Sequence, residues 1–328
     1  MPRAVVLFSG GLDSMLALRI LQRQGLDVHA LNIRALYSCC QMEAARAAVA
    51  MGAELTVLGV EEDYLDIVRN PRYGYGKGAN PCVDCRMYMC KMAKRFMEQI
   101  DACVVATGEI LGQRPMSQKR QDLLVIEKRS GLQGRLLRPL SAKLLSPTIA
   151  EEEGIIDREK LYDFSGRNRT PLIELAEELD IPEVPQPSTG CALTEPLFST
   201  RVFDLMKHDS EATRWDFEVL VHGRQFRISP HTKIIIGRNE NENASLQFFA
   251  ERDDAPQPTL IQPENFLGPT ALITGHADEA SVDLAAAMLV RYARRAEFGT
   301  ATVRVTHKGE SRVMKPKPNE GVGSYTPL

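Results

Sequence analysis

"AVVLFSGGLDSMLAL" occupies residues 4–18 of a 328-residue chain. Its first five residues are all apolar, the pattern of a strand buried on both faces of a parallel sheet. The S-G-G-L-D-S that follows reads as a tight turn, and apolar residues then recur at helical spacing up to Gly25. A strand feeding a Gly-rich turn that opens a helix aims backbone N–H groups and a helix N-terminus at an anion. Gly10 and Gly11 let a phosphate approach the backbone closely, and Ser9 and Ser14 add hydroxyls. Asp13 stands where a phosphate would repel it, so it orients the loop or holds Mg²⁺. The lysine of G-x-x-x-x-G-K-[ST] is missing, which argues against γ-phosphate transfer.

Working outward, strand-like runs alternate with helical ones: "VHALNI" (28–33), "MEAARAAVAMGA" (42–53), "LTVLGV" (55–60), "MYMCKMAKRFMEQI" (87–100) and "CVVATG" (103–108). That alternation predicts an α/β fold, a parallel sheet with helices on both faces and a ligand at the carboxyl ends of its strands. Residues 110–200 read as short helices separated by Pro and Gly, ending in the Pro-rich loop "PEVPQPSTGC" (182–191). A second, smaller α+β domain follows. In it "FEVLVHG" and "QFRISP" alternate like a hairpin, "KIIIG" reads as a buried strand, and residues 279–296 form an amphipathic helix. The expected division is 1–205 for the first domain, 206–214 for a linker, 215–315 for the second domain and 316–328 for a flexible tail.

Apolar residues make up 44% and charged residues 25%, as in an ordinary globular protein, and the apolar runs fall short of the ~18 residues of a membrane span. No signal peptide is visible at the start, so a cytoplasmic, membrane-free location with reduced cysteines is expected. The net charge of −3 leaves nucleic-acid binding to local patches. One patch lies at 110–145, where eight Lys/Arg, among them Arg114, Lys119, Arg120 and Arg138, face two acids. Lys91, Lys94 and Arg95 would extend it. Read alone, such a run is a solvated surface.

S-G-G-x-D-S at the first strand–helix turn resembles the PP-loop ATP pyrophosphatases. The resemblance implies a Rossmann-like PP-loop domain that binds ATP with Mg²⁺ and releases pyrophosphate while adenylating an oxygen. It assigns the nucleotide to Ser9, Gly10, Gly11, Asp13, Ser14 and Gly108, to Asn32 and Ile33 through their backbone at the adenine, and to Gln113 near the base or ribose.

Two cysteine motifs narrow the branch: "NPCVDCR" (80–86) and "STGCALTEP" (188–196). They resemble the sulfur-handling positions of the tRNA thiolases. "ATGEILGQRPMSQ" (106–118) and "LLRPLSA" (136–142) resemble elements of 4-thiouridine synthase. The likeness runs over about residues 1–195. No RNA-binding THUMP region precedes the loop, and no rhodanese domain follows it in this sequence. Members with C-x-x-C and a distant cysteine look like the iron–sulfur-dependent thiolases. Here the ligands would be Cys82, Cys85 and Cys191, holding a [4Fe–4S] cluster by three thiolates and leaving one iron open for sulfide. Thiolates at a helix N-terminus would have depressed pKa values. Zinc is a second candidate metal. A cysteine-only reading makes Cys191 the persulfide carrier and Cys85 its partner. Asp84 is a proton shuttle or a loop cap. Cys90 and Cys103 read as packing, and the adjacent pair Cys39-Cys40 makes a poor clamp.

The implied substrate is a tRNA uridine, thiolated at position 4 rather than position 2, with a sulfide or persulfide donor as partner and a homodimer left open. For such a substrate the 110–145 stretch, with Arg114, Lys119 and Arg120, would serve as a phosphate track. In the second domain "GRNENEN" (237–243) after a strand resembles the RNA-binding domain of the NFACT proteins. That nominates Arg238, Asn239 and Asn243 as RNA contacts; a turn capped by Asn is the structural alternative. A PP-loop ligase or sulfurtransferase acting on a small molecule is the competing function.

Overall fold

The computed structural model describes residues 1–37, 41–186 and 190–328, apart from the side chain of Gln41. Cys39 and Cys40 lie outside the described residues. The chain divides into two units, Met1–Thr194 and Glu195–Leu328.

The first unit is built from β1 (Arg3–Leu7), α1 (Leu12–Arg23), β2 (Asp27–Arg34), α2 (Gln41–Ala50), β3 (Glu54–Gly59), α3 (Tyr64–Arg69), α4 (Cys82–Gln99), β4 (Val104–Thr107), α5 (Arg120–Ser130), β5 (Leu136–Leu137), α6 (Ile149–Glu152) and α7 (Thr170–Glu178). Its five strands pair in parallel in the order β3-β2-β1-β4-β5. Successive side chains of a strand point to opposite faces. Ala4 and Val6 join α1 and α7 in one apolar cluster, and α4 lies against β1 and β4. Ala4, Val5, Val6, Val104, Val105 and Ala106 are fully buried, which is why both strands read as unbroken apolar runs. β1 neighbours both β2 and β4, so the chain reverses its direction of travel across the sheet there. At that switch point the carboxyl ends of two strands splay apart and open a crevice.

The C-x-x-C pair falls inside α4, not ahead of it. Pro81 occupies the cap position and Cys82 is the first helical residue, since proline tolerates the start of a helix, where no N–H bond is lost. Cys82 and Cys85 therefore stand one turn apart on one helix.

The second unit contains α8 (Pro196–His208), α9 (Arg214–Glu218), β6 (Arg224–Ser229), β7 (Thr232–Ile236), α10 (Glu240–Glu251), β8 (Thr259–Pro263), β9 (Ala271–Gly275), α11 (Glu279–Tyr292), β10 (Val303–His307) and β11 (Glu310–Met314). Its six strands form an antiparallel sheet ordered β11-β10-β8-β9-β7-β6. Ile234 and Ile236 pack with α11 on one face, while Ile235 packs with Trp215, Leu246 and Phe249 on the other. This two-sided burial explains the "KIIIG" run.

Three expectations are corrected here. "FEVLV" is not a strand: Thr213 and Asp216 form a reciprocal capping box that starts α9, and Phe217, Val219 and Leu220 are buried in consecutive turns. The hairpin instead joins β6 to β7. The 206–214 linker is partly absorbed, because α8 runs to His208. The 316–328 tail packs down: it carries a 3₁₀ turn at Glu320–Ser324, buries Val322, and donates the Leu328 amide to the Gln225 carbonyl at 2.8 Å. Among the described residues no helix is long and apolar enough to cross a membrane.

Candidate active site

The S-G-G-L-D-S turn lies at the β1/β4 switch point. Gly10 has φ +77°, a conformation side chains rarely adopt, and a Cβ there would come within 2.8 Å of the Ala44 backbone. Gly11 caps α1 with no side-chain hydrogen bond, so no capping side chain competes for the N–H groups of the first turn, as suits an anion site. Ser14 donates its hydroxyl to the Gly11 carbonyl at 2.8 Å, and its oxygen is 3.4 Å from that of Ser9, whose side chain is exposed. Gly108, just past β4, presses on the first turn of α1. A Cβ there would sit 2.4 Å from the Asp13 carbonyl carbon and oxygen.

Burial raises the carboxyl pKa of Asp13, while the hydrogen bond from Gln113 and the charges of Arg114 and Arg169 pull it back. The Gln113 amide donates to Asp13 Oδ2 at 3.0 Å, which places Gln113 against the Gly-rich turn. A carboxylate and two hydroxyls are hard oxygen donors suited to Mg²⁺, and two guanidinium groups nearby suit a polyphosphate. Asn32 is occupied structurally: its amide donates to the Phe8 carbonyl at 2.7 Å, tying β2 to the start of the turn. Ile33 is buried.

Of the three candidate cysteines, Cys85 contacts Tyr64. The Tyr64 hydroxyl donates to Cys85 Sγ at 3.2 Å. Burial lifts the Tyr64 phenol well above its ordinary range, and Cys85, Cys191 and Cys82 push it the same way. The Cys85 thiol is likewise pushed up to about 11, chiefly by burial, with Cys191 and Cys82 adding to it and Arg86 opposing. The expected depression at a helix N-terminus is therefore overturned for Cys85, because desolvation outweighs the dipole. Cys82 Sγ accepts from the Asn80 amide at 3.0 Å, whereas Cys191 is exposed. Thiols are the right donor type for an iron–sulfur cluster. Among the described residues, however, no three His, Cys, Asp or Glu side chains are gathered closely enough to form a metal shell. Asp84 is a loop cap: it accepts from the amides of Arg72 at 3.2 Å and Tyr73 at 3.0 Å.

The basic stretch is not one surface. Arg138 is buried, pairing with Glu109 at 3.1 Å and Glu127 at 3.3 Å, and Arg86 approaches Glu109 at 3.7 Å. Arg120 donates to the Leu144 carbonyl at 2.8 Å. Arg114 faces Asp13, while Lys119 is exposed at the start of α5. In the second unit, Asn239 caps α10 by accepting from the Glu242 amide at 3.0 Å, and Asn243 Oδ1 accepts from the Thr270 amide at 2.9 Å. Arg238 forms a pair with Glu242. The fold uses all three side chains internally.

Two residues escaped the motifs. Tyr64 belongs to no motif, and only the packing of α3 on α4 brings it to Cys85. Arg169, at the start of α7, acts on Asp13 and also donates to the Pro185 carbonyl at 2.8 Å. It thereby links the turn to the loop that leads to Cys191. Its "RNRTP" context carries no signal readable without the tertiary structure.

Residues 2–144 match the family described as thiamine biosynthesis protein (ThiI), and residues 223–326 match the NFACT protein RNA binding domain. The tRNA-specific 2-thiouridylase MnmA of Rhizobium rhizogenes is 32% identical over 131 residues, covering 34% of this chain and 33% of that protein. MnmA of Pelobacter propionicus is 23% identical over 198 residues, covering 56% of this chain and 54% of that protein. The chain thus spans about a third to a half of the curated relatives it matches. Among solved structures, a 4-thiouridine synthetase in complex with RNA and bound ATP aligns at 21% identity and a TM-score of 0.39, over 56% of this chain and 42% of that one.

Proposed function

We propose that this chain, in which a ThiI-type PP-loop domain precedes an NFACT-type RNA-binding domain, is a cytoplasmic ATP-dependent tRNA-uridine sulfurtransferase. The contact of Tyr64 with Cys85, which stands one helical turn from Cys82 in the same unit as the S-G-G-L-D-S turn and Cys191, carries this reading. A PP-loop alone serves many adenylating enzymes; a C-x-x-C pair on α4 and a third cysteine in the same unit favour sulfur transfer.

In the proposed reaction a uridine carbonyl oxygen attacks the α-phosphorus of ATP and pyrophosphate leaves. The N–H groups of the first turn of α1, with Arg114 and Arg169, hold the phosphates, and Asp13 with Ser9 and Ser14 would hold Mg²⁺. Sulfur presented from the Cys85–Cys191 side then attacks the activated carbon, the C–O bond breaks, and AMP departs with the former carbonyl oxygen. Fixed charge aimed at the phosphates lowers the barrier without reorganisation. Cys82, Cys85 and Cys191 would be the ligands of a [4Fe–4S] cluster, which would supply an open iron to carry sulfide. In the cysteine-only form, the terminal sulfur of a Cys191 persulfide attacks the carbon. The Cys85 thiolate then attacks the Cys191 sulfur and breaks the S–S bond, and the resulting Cys85–Cys191 disulfide is reduced by an external thiol before the next turnover.

The "TGEILGQRPMSQ" segment favours 4-thiouridine as product, whereas the 2-thiouridylase relatives favour the second reading, 2-thiouridine. Mass spectrometry of tRNA nucleosides from a strain lacking the protein should show which thiouridine disappears. Cys191→Ser should abolish thiolation and leave ATP binding within about two-fold. Unchanged thiouridine in both experiments would overturn the assignment. Anaerobically purified protein should be brown and contain iron; a colourless, iron-free, active enzyme would leave only the cysteine-only form.

A further inference from the structure

A cleft of about 320 Å³ opens along α4 within the first unit, lined by Arg72, Tyr73, Met87, Tyr88, Lys91 and Arg129 and floored by Asp84. Residues 84, 87, 88 and 91 follow i, i+3, i+4, i+7 spacing, so one stripe of α4 forms a wall. The stripe starts within the turn that carries Cys82 and Cys85.

Its charge is unbalanced. Both Asp84 oxygens already accept backbone N–H bonds. Among the described residues, Arg72, Lys91 and Arg129 have no carboxylate partner, whereas Lys94, Lys143 and Arg158 of the same unit do. The cations are exposed and the aromatic rings half-buried, so charge lies at the rim and flat apolar surface within. Tyr88 is held in place: its hydroxyl donates to Asp63 at 2.6 Å and accepts from the Glu61 amide at 3.2 Å. The Tyr64 ring meets the Tyr88 ring edge-on at 5.4 Å, and the Tyr64 hydroxyl reaches Cys85. One tyrosine therefore separates the cleft from the candidate sulfur centre.

We propose that this cleft holds an unpaired nucleotide of the tRNA substrate, next to the uridine that reacts, by stacking on Tyr73 and Tyr88 and by phosphate contacts to Arg72, Lys91 and Arg129. The proposal rests on the tRNA reading above. Cationic rims with aromatic platforms bind single-stranded RNA, because every base has a π-face and every linkage a charge. The volume suits one nucleotide and excludes a duplex, and the open rim lets a polymer enter and leave.

The test uses the full chain and a labelled, unmodified tRNA transcript, with affinity measured against salt and ATP affinity measured in parallel. In the double variant Lys91→Gln/Arg129→Gln, the slope of log K on log salt should become shallower by roughly 1.4, the loss of two single-strand phosphate contacts. Tyr73→Ala should weaken binding at least about five-fold, and Tyr73→Phe should restore it, as stacking requires. ATP affinity should not change in any variant. If the wild type binds tRNA and all variants match it in affinity and slope, the cleft is not an RNA subsite. Loss of ATP binding with tRNA binding intact would also overturn the proposal, by assigning the cleft to the nucleotide triphosphate. A wild-type chain that does not bind the transcript would sink the tRNA reading itself, and the cleft assignment with it.

Discussion

The two units use their polar residues in opposite ways. In the first, few of the candidate binding residues are tied up in ion pairs or helix caps. α1 has no side-chain cap, Ser9 and Cys191 are exposed, and the cations of the α4 cleft lack carboxylates. In the second, the conspicuous polar residues serve the fold. Asn239 and Asp278 cap α10 and α11, and Arg238, Arg252, Arg304 and Arg312 are all ion-paired. A motif residue is free to bind a ligand only when the fold does not already use it. By that criterion, RNA contacts of the second unit should come from residues other than Asn239 and Asn243.

The comparison can be broken most forcefully at the cores. Trp215 is fully buried and donates to the Phe249 carbonyl at 2.8 Å. Trp215→Ala should cost the second unit about 3–5 kcal/mol in thermal unfolding while leaving ATP affinity unchanged. A loss of ATP binding would show that the units do not act separately. The counterpart in the first unit is Gly108→Ala, which forces a methyl against the Asp13 backbone. It should cost about 1–3 kcal/mol and abolish ATP binding. Retained ATP binding would remove this contact from the nucleotide site. A smaller effect sharpens the contrast: Asn239→Ala should lose about 1 kcal/mol of helix capping and leave tRNA affinity within two-fold. A large loss of affinity with stability unchanged would return Asn239 to the RNA face.

Alkaline pH separates the units without mutation. Burial, with help from Arg227, lowers Lys233 of the second unit from 10.5 to about 8. Between those values the unfolded chain binds the proton and the folded one does not, so this group adds stability to the second unit as pH rises. In the first unit, burial pushes Cys90 and Tyr88 up to about 12 from ordinary values of 9.0 and 10.0. There the folded state keeps protons that the unfolded state releases, so stability falls as pH rises through that range. The single tryptophan, Trp215, lies in the second unit, so its fluorescence reports that unit while circular dichroism reports both. Raising pH should therefore melt ellipticity before fluorescence; simultaneous loss would contradict the opposing signs.

Much of the first unit is legible in the chain because its signals are local. A buried strand, a Gly-rich turn and an amphipathic helix each occupy one short window, and S-G-G-L-D-S falls where they join. Less was legible in the second unit. "WDFEV" alternates as a strand would, yet Thr213 and Asp216 cap it into a helix, and the hairpin lies further on. β11 follows a two-residue turn at Lys308 and Gly309 with φ of 51° and 80°, a conformation that reverses one strand directly into the next.

By itself the sequence determined the α/β class, the Gly-rich turn between β1 and α1, and the cysteines from which the sulfur centre is argued. Those properties depend on residue type and on spacing within a few turns of chain. The tertiary structure decided the rest: that Tyr64 bridges Cys85 and the α4 cleft, that Arg169 reaches both Asp13 and the loop before Cys191, and that Arg138 is buried rather than exposed. It also decided that Cys85 sits in surroundings that raise its pKa. Burial and long-range charge are set by which elements pack together, and no local window of sequence contains that information.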